Sequence, residues 1–353
     1  MSDRQSLFAR NAASLVCAGT GLIVLDMLKT DDAANLRSWA GGSCANVLTI
    51  LSYLGWQSYP VARIGDDEVA EAVLSDLQTF GVRTDWVFRD ASLRTPVILE
   101  ILHNEAHGIP THKFQFVCPE CGHWFPQYRP ILAKTATSIC GSLPIPKVFY
   151  FDRVSRGALE LAEYAKSKGA VVFFEPSGIK DPKLFVEGLR ISDIVKYSCD
   201  RLQPDLPGNV VIPLEVETLG SEGLMYRIRG SDWKVMTGYR VSVKDTAGAG
   251  DWCSAGLIHA LFALGTSSVA DSSEDRIADA LDFGQILAAT KCMFEGPRSF
   301  MYETSEVALE ALTQRIINGS YSYAKICAET QSGTSVHSVY MGSKCPVCSS
   351  GKR

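Results

Sequence analysis

The second half of the chain alternates short apolar runs with segments of helical periodicity. Four apolar runs cover residues 147–151, 170–174, 193–197 and 209–213. Helical segments lie between them, through residues 159–165 with a stop at Gly169, and near residues 182–190. Strands that are apolar throughout are typical of a parallel sheet covered by helices on both faces. The pattern therefore predicts an α/β fold, a three-layer sandwich around a mainly parallel sheet.

Residues 86–117 follow a different pattern. Three strand-like runs, 86–88, 96–102 and 113–117, have no helical segment between them. They predict a small β-rich flap attached to the α/β body.

The N-terminal segment superficially resembles a signal peptide, because Arg4 and Arg10 precede an apolar stretch. That stretch continues through two glycines and ends at Asp26. A buried first strand that ends on the Asp26 carboxylate explains it better. No run reaches the 18 or more apolar residues of a membrane span, so we expect no membrane partner.

The 353 residues are 46% hydrophobic and 21% charged, with a net charge of −5. This balance is enough for one large domain with an ample core, and it gives no indication of nucleic-acid binding. Among the eleven cysteines, Cys17, Cys44, Cys253 and Cys292 lie in apolar helix or strand runs. They are predicted to be reduced core thiols, which indicates a cytoplasmic protein.

The run Asp-Thr-Ala-Gly-Ala-Gly-Asp at residues 245–251 carries the clearest chemistry. Residues 239–243 before it alternate like a half-buried strand, and an apolar helix follows it. The amides of Gly248, Ala249 and Gly250 at such a helix start form an anion site. Asp251 would accept a proton from a hydroxyl that attacks a phosphate held there. The alternative is a plain helix start, with glycine for the turn and aspartate as the cap.

A second motif, Gly-Gly-Ser-Cys-Ala-Asn-Val at residues 41–47, opens a helix that ends at Leu54 and Gly55. Nine residues separate Gly55 from Gly65. This arrangement resembles the first signature of the ribokinase-like (PfkB) carbohydrate kinases, and residues 245–251 resemble the second. The resemblance extends over about residues 14–315.

The resemblance implies a kinase domain over residues 1–318, with a lid at about residues 86–130 that excludes water from the acceptor site. It implies ATP and Mg²⁺ as cofactors and a hydroxymethyl group of a sugar or nucleoside as acceptor. The residues it assigns to the acceptor are Asp26, Gly41, Gly42 and Asn46. The residues it assigns to the nucleotide are Thr218, Gly220, Gly223 and Thr246; alone, residues 218–223 would be read only as a hairpin turn.

Two departures from the family pattern matter. Trp252 and Cys253 follow the base where the family has a small residue and an aromatic, which leaves the shape of the acceptor pocket open. The acid of the usual Mg²⁺-supporting motif is replaced by Arg201, so that Asp200 or Glu175 would take its role. An alternative interpretation is a non-catalytic ligand sensor or scaffold that retains the fold.

Two Cys-Pro-x-Cys knuckles lie outside the family pattern, one in the lid and one in the polar tail of residues 319–353. Cys118, Cys121, Cys345 and Cys348 would complete a tetrahedral structural zinc site that pins the tail to the lid. The alternatives are two disulfides, or unrelated thiols with His123 and His337 as spare ligands. The lid is also the surface through which we expect a homodimer.

Overall fold

The computed structural model describes residues 15–30, 36–103, 111–202, 210–263, 265–303 and 306–318. None of the helices in these ranges is both long and apolar enough to cross a membrane. The strands are β1 (Val16–Thr20), β2 (Val24–Thr30), β3 (Arg37–Gly41), β4 (Gln57–Pro60), β5 (Ala62–Gly65), β6 (Val87–Asp90), β7 (Val97–His103), β8 (Thr111–Gln115), β9 (Val148–Phe151), β10 (Val171–Phe174), β11 (Ile194–Ser198), β12 (Leu214–Thr218), β13 (Gly223–Ile228) and β14 (Lys234–Thr237). The helices are α1 (Ser43–Tyr53), α2 (Glu68–Thr79), α3 (Ala133–Ile139), α4 (Arg156–Ser167), α5 (Pro182–Ile191), α6 (Ala249–Phe262), α7 (Glu274–Cys292), α8 (Phe300–Glu303) and α9 (Glu306–Ile317).

The main sheet has eight strands in the order β14-β13-β12-β11-β10-β9-β1-β4. The pairs from β4 to β12 are parallel, and β13 and β14 extend the sheet as antiparallel strands. Alternate residues of each strand enter different hydrophobic clusters. Tyr150 packs with α1, α6 and α7 on one face, whereas Phe149 and Phe151 pack with α3, α4 and α5 on the other. The predicted α/β sandwich with a mainly parallel sheet is confirmed.

A second sheet of four strands, in the order β3-β2-β7-β8, forms the lid. Two of the three predicted flap strands belong to it. The third, at residues 86–88, does not: β6 pairs with β5 as a separate two-stranded ribbon. The sequence analysis did not assign β2 and β3 to the lid, because it took the start of β2 as the end of the first strand.

The predicted first strand is wrong in its extent. The first strand ends just before Gly21, which has a φ of 153°. A Cβ at this position would lie 1.6 Å from Asp152 Oδ1, so only glycine fits. The segment after the break becomes β2 of the lid. Asp26 therefore lies within a lid strand, opposite Trp39 of β3, and not at the end of a strand of the main sheet.

Two further strand predictions need correction. The run at 209–213 precedes β12, which begins at Leu214; residue 209 itself lies outside the described residues. The segment 239–243 belongs to no strand, although its exposure alternates as predicted. Tyr239 and Val241 pack against the core while the residues between them are exposed. The alternation reflects packing on the core and not a β-ladder.

Candidate active site

The second glycine-rich motif forms the turn that starts α6. Gly248 is the N-cap, in the left-handed conformation with φ 79°, and a Cβ there would lie 2.7–2.9 Å from atoms of Pro297. Both constraints require glycine at this position. The Ala249 amide donates to the carbonyl of Thr246 at 3.1 Å. This amide must therefore exchange its partner before it can contact a phosphate, which the sequence did not predict.

Asp251 lies in the first turn of α6 and is 8% exposed. Its Oδ2 accepts a hydrogen bond of 2.7 Å from Asn46 Nδ2, on the helix that the first motif opens. The two motifs, 205 residues apart in sequence, thus meet at one hydrogen bond. Burial raises the pKa of Asp251 to about 7, and the nearby Glu175 charge adds to this, against the Asn46 hydrogen bond and the charges of Lys196 and Arg201. A carboxylate with a pKa near neutrality is suited to general base catalysis.

Asp26, Gly41 and Gly42 are also brought together. The Asp26 carboxylate lies so close to Gly41 that a Cβ on Gly41 would be 1.8 Å from Oδ2. Burial raises the pKa of Asp26 to about 7, whereas a hydrogen bond from the Gly42 backbone and the charge of Arg298 lower it. Gly42 has a φ of 87° and is the N-cap of α1, which brings Asn46 and Asp26 to the same region. Both positions thus require glycine because Asp26 approaches Gly41 and the Leu22 carbonyl approaches Gly42; their assignment to the acceptor stays a prediction.

A buried arginine network holds Asn46, and the sequence analysis missed it. Arg298 Nε donates to Asn46 Oδ1 at 3.0 Å, which fixes the orientation of the side-chain amide that faces Asp251. Arg298 Nη2 donates to Asp76 Oδ2 at 2.7 Å and to the carbonyl of Ala40. Tyr302 donates to the other oxygen of Asp76 at 2.6 Å. Both members of the ion pair are completely buried, so Asn46 is held by a rigid group.

A second buried ion pair lies beneath the first turn of α6. Lys196 Nζ, on β11, is 2.5 Å from Glu175 Oε1, just after β10. The other carboxylate oxygen accepts from Tyr150 at 3.0 Å and from Ser254 at 2.5 Å. A Cβ on Gly250 would lie 3.7 Å from Lys196 Nζ and 3.8 Å from Glu175 Oε1. A lysine inside the apolar run of residues 193–197 was the available signal for this site.

The residues assigned to the nucleotide lie at two turns. Thr218 ends β12, and Gly220 and Gly223 form the hairpin turn that joins β12 to β13. Gly223 is required structurally, because its φ is 107° and a Cβ would lie 2.1 Å from the carbonyl of Met236. Thr246 is exposed on the turn before α6. The hairpin interpretation is correct as geometry, and nucleotide contact stays a prediction.

Trp252 does not line the acceptor pocket from the helix surface. Its side chain is completely buried, its indole nitrogen donates to the carbonyl of Pro297 at 2.9 Å, and its ring packs on Phe300 with centroids 4.4 Å apart. The unusual residue after Asp251 therefore anchors the turn at 296–300, which carries Arg298.

The first cysteine knuckle is a tight turn after the lid. The Gly122 amide donates to the carbonyl of Cys118 at 2.9 Å; Cys118 is buried and Cys121 is exposed. Cys345 and Cys348 lie outside the described residues. Within the described part of the chain, no group of three or more His, Cys, Asp or Glu side chains is arranged to hold a metal ion. The zinc site therefore stays a prediction.

The fold and the site together define a small-molecule kinase: a buried carboxylate at a glycine-rich helix start, beside a lid sheet, on a mainly parallel α/β body. The sequence model of the pfkB family carbohydrate kinases matches residues 12–111 and 209–304. The chain belongs to this family and is a sugar or nucleoside kinase.

Similar proteins agree with this assignment. A probable chloroplastic fructokinase of Arabidopsis thaliana is 24% identical over 335 residues, which cover 86% of this chain and 83% of the relative. A fructokinase of Vibrio alginolyticus is 24% identical over 265 residues, 69% of this chain and 82% of the relative.

Solved structures share the fold. The ATP-bound fructokinase of Xylella fastidiosa superimposes with a TM-score of 0.65 at 19% identity, over 85% of this chain and 98% of that one. The aminoimidazole riboside kinase of Salmonella enterica, complexed with its riboside and an ATP analogue, gives a TM-score of 0.64 at 19% identity, over 84% and 99%.

Proposed function

We propose that this protein transfers the γ-phosphoryl group of ATP to a hydroxymethyl group of a sugar or nucleoside, with Asp251 as the general base. The observation that carries the proposal is the buried hydrogen bond between Asp251 and Asn46. It joins a base at an anion-binding helix start to the side of the site that holds Asp26, Gly41 and Gly42. Gly248, Ala249 and Gly250 contribute the amides that stabilise charge on the transferred phosphoryl group. Thr218, Gly220, Gly223 and Thr246 contact the nucleotide.

Fructose is the acceptor to test first, because several relatives are named fructokinases. Inosine and aminoimidazole riboside follow, since related structures contain them. Thermal shift with each compound, with and without ATP and Mg²⁺, should give a stabilisation that depends on ligand concentration. A coupled assay for ADP release then tests turnover. A hit in the first assay without turnover in the second would favour the sensor or scaffold alternative.

The Mg²⁺ that accompanies ATP would be supported by Asp200. The other candidate, Glu175, is already engaged by Lys196, Tyr150 and Ser254. Asp200 is exposed in the turn after β11, at the carboxyl edge of the sheet where ligands of such folds bind. Bound Mg²⁺ neutralises negative charge on the phosphates. This chain's part is to orient that ion, directly or through water.

The proposed base predicts the pH dependence of turnover. Asp251 must be ionised to accept the hydroxyl proton, and its pKa is raised to about 7. The value of kcat/KM for the acceptor should therefore fall as the pH is lowered through about 7, and level off above it. A pH profile of initial rates at limiting acceptor checks this. An acid limb below pH 5 would contradict a base with this environment.

We further propose that the two cysteine knuckles bind one structural zinc ion. Cys118, Cys121, Cys345 and Cys348 provide four thiolates, and the turn at Gly122 leaves Cys121 accessible to the tail. Purified protein should contain about one zinc per chain, and Cys345→Ser should lose it and expose the tail to proteases. Cys199→Ser is the control and should retain the metal. Zinc-free protein with a protease-resistant tail would disprove the site.

We also propose that the protein forms a homodimer through the outer edge of the lid. Phe114, Phe116 and Trp124 are exposed by 39%, 48% and 67%, next to or on the edge strand β8. Exposed aromatic clusters of this kind are typical of interfaces. Light scattering after size exclusion tests the assembly, and a monomer at micromolar concentration would contradict it.

A further inference from the structure

The Lys196–Glu175 ion pair has no role in the assignments above, although it lies next to the proposed base. Both residues leave the carboxyl half of the main sheet and reach under the first turn of α6. The Lys196 side chain is 2% exposed and the Glu175 side chain 15% exposed. A buried ion pair is weak support for stability, since desolvation offsets most of the attraction. Its position suggests another purpose.

The pair acts on α6 by contact. Ser254 donates to Glu175 Oε2 at 2.5 Å, and the same hydroxyl lies 3.1 Å from the carbonyl of Gly250. Glu175 is thereby tied to the helical turn that contains Asp251. Tyr150 and Lys196 hold the carboxylate from the sheet side. The proposed base, Asp251, thus lies on a helical turn whose position depends on the Glu175 carboxylate.

The pair also acts by charge. A Cβ on Gly250, the residue before Asp251, would lie 3.7–3.8 Å from both members of the pair. Like charges in a poorly solvated site raise each other's proton affinity. Burial is the largest single influence and lowers the pKa of Lys196, but Glu175, Cys253 and Asp251 together outweigh it and raise that pKa, so the ammonium stays charged. Burial first, and then the Glu175 charge, raise the pKa of Asp251, while Lys196 opposes them.

On the basis of the proposed function, we propose that Glu175, held by Lys196, is a positioning residue for the Asp251 base. It fixes the first turn of α6 through Ser254, and its negative charge makes Asp251 a stronger proton acceptor. The remaining groups around Asp251 are Asn46 and Cys44 from α1, Tyr150 from β9 and Arg201 after β11. Of these, only Arg201 is a permanent charge, and its effect on Asp251 is opposite to that of Glu175.

The test separates charge from contact. Glu175→Gln keeps the shape: the amide oxygen faces Lys196, and the Ser254 hydroxyl turns to donate to the carbonyl of Gly250. Without the negative charge, Asp251 ionises at lower pH. The acid limb of kcat/KM should therefore move down by about one pH unit. Ser254→Ala removes the contact and keeps the charge, so kcat should fall several-fold while the limb stays in place. Glu163→Gln, on the exposed surface of α4, should change neither.

The double variant Glu175→Gln/Lys196→Met guards against misfolding, because it leaves no unpaired buried charge. It should move the limb in the same direction by a smaller amount. An acid limb that stays at the wild-type pH in both Glu175 variants would overturn the inference. So would a uniform loss of rate at every pH, which indicates a merely structural pair. Failure of the proposed function would give a different result: the wild-type protein itself would phosphorylate no acceptor, before any variant is measured.

Discussion

Asp251→Asn should reduce kcat by at least about 100-fold, the lower end of what a general base contributes. Asparagine is nearly isosteric, and its carbonyl can still accept the hydrogen bond from Asn46, but the amide cannot take the hydroxyl proton. Binding of ATP should be nearly unchanged, because the backbone amides of the turn remain. Steady-state rates with the acceptor identified by thermal shift, together with nucleotide titration, measure both quantities.

The same substitution should stabilise the fold above pH 7. Since the pKa of Asp251 is raised from 3.8 to about 7, the ionised form is disfavoured in the folded protein. Its contribution to stability falls as the pH rises through this window. Removing the charge should therefore raise the melting temperature at pH 8 and change it little near pH 4. Asp232→Asn, at an exposed position, is the control for the melting temperature.

If the Asp251→Asn variant keeps more than a few per cent of wild-type turnover, Asp251 is not the general base.

Arg298→Met should lower the free energy of unfolding by about 3–5 kcal/mol, the usual cost of removing one partner of a buried ion pair. Asp76 would remain buried without its cation, and Ala40 would lose a donor. Asn46 would lose the bond that fixes its amide, so kcat/KM should fall as well. Denaturant unfolding followed by tryptophan fluorescence measures the stability.

The chain offers a matched control for this experiment. Arg156 and Glu187 form an ion pair with the same N–O distance, 2.7 Å, but their side chains are 50% and 38% exposed. Arg156→Met should lower the free energy of unfolding far less than Arg298→Met, because solvent screens exposed pairs. Equal losses for the two arginine variants would mean that burial does not determine the energetic role of Arg298.

The two glycine-rich helix starts were predictable because they depend on local backbone patterns. Glycines at a helix start mark both motifs, and the first motif adds an asparagine on the first turn of its helix. The buried ion pairs that hold these residues in place were not predictable. Arg298, Asp76 and Lys196 are single charges in unrelated segments, and partners such as Glu175, Asp76 and Ala40 lie 21, 222 and 258 positions away in sequence. A local sequence pattern carries no information about such pairs. The one local signal was Lys196, a charged residue within the apolar run of residues 193–197.

The errors in strand prediction have equally specific causes. The alternation at Tyr239 and Val241 is real, but it arises from packing on the core without strand pairing. The apolar run after Cys17 is continuous in composition, and only the contact between Gly21 and Asp152 shows why the chain leaves the main sheet. Hydrophobicity identifies what is buried; it does not identify which sheet receives it.

The Arg298–Asp76 pair also constrains how the protein is made, because its members are 222 positions apart. At about 5–20 residues per second, a ribosome adds Arg298 roughly 10–45 s after Asp76. Until then the nascent chain contains Asn46 and Asp76 without the cation that joins them, and water must serve as their partner. The contacts that hold Asn46 and Asp76 therefore form only when nearly the whole domain has been synthesised. A chain that stalls before the 296–300 turn therefore lacks the cation that pairs with Asp76 and the donor that orients Asn46.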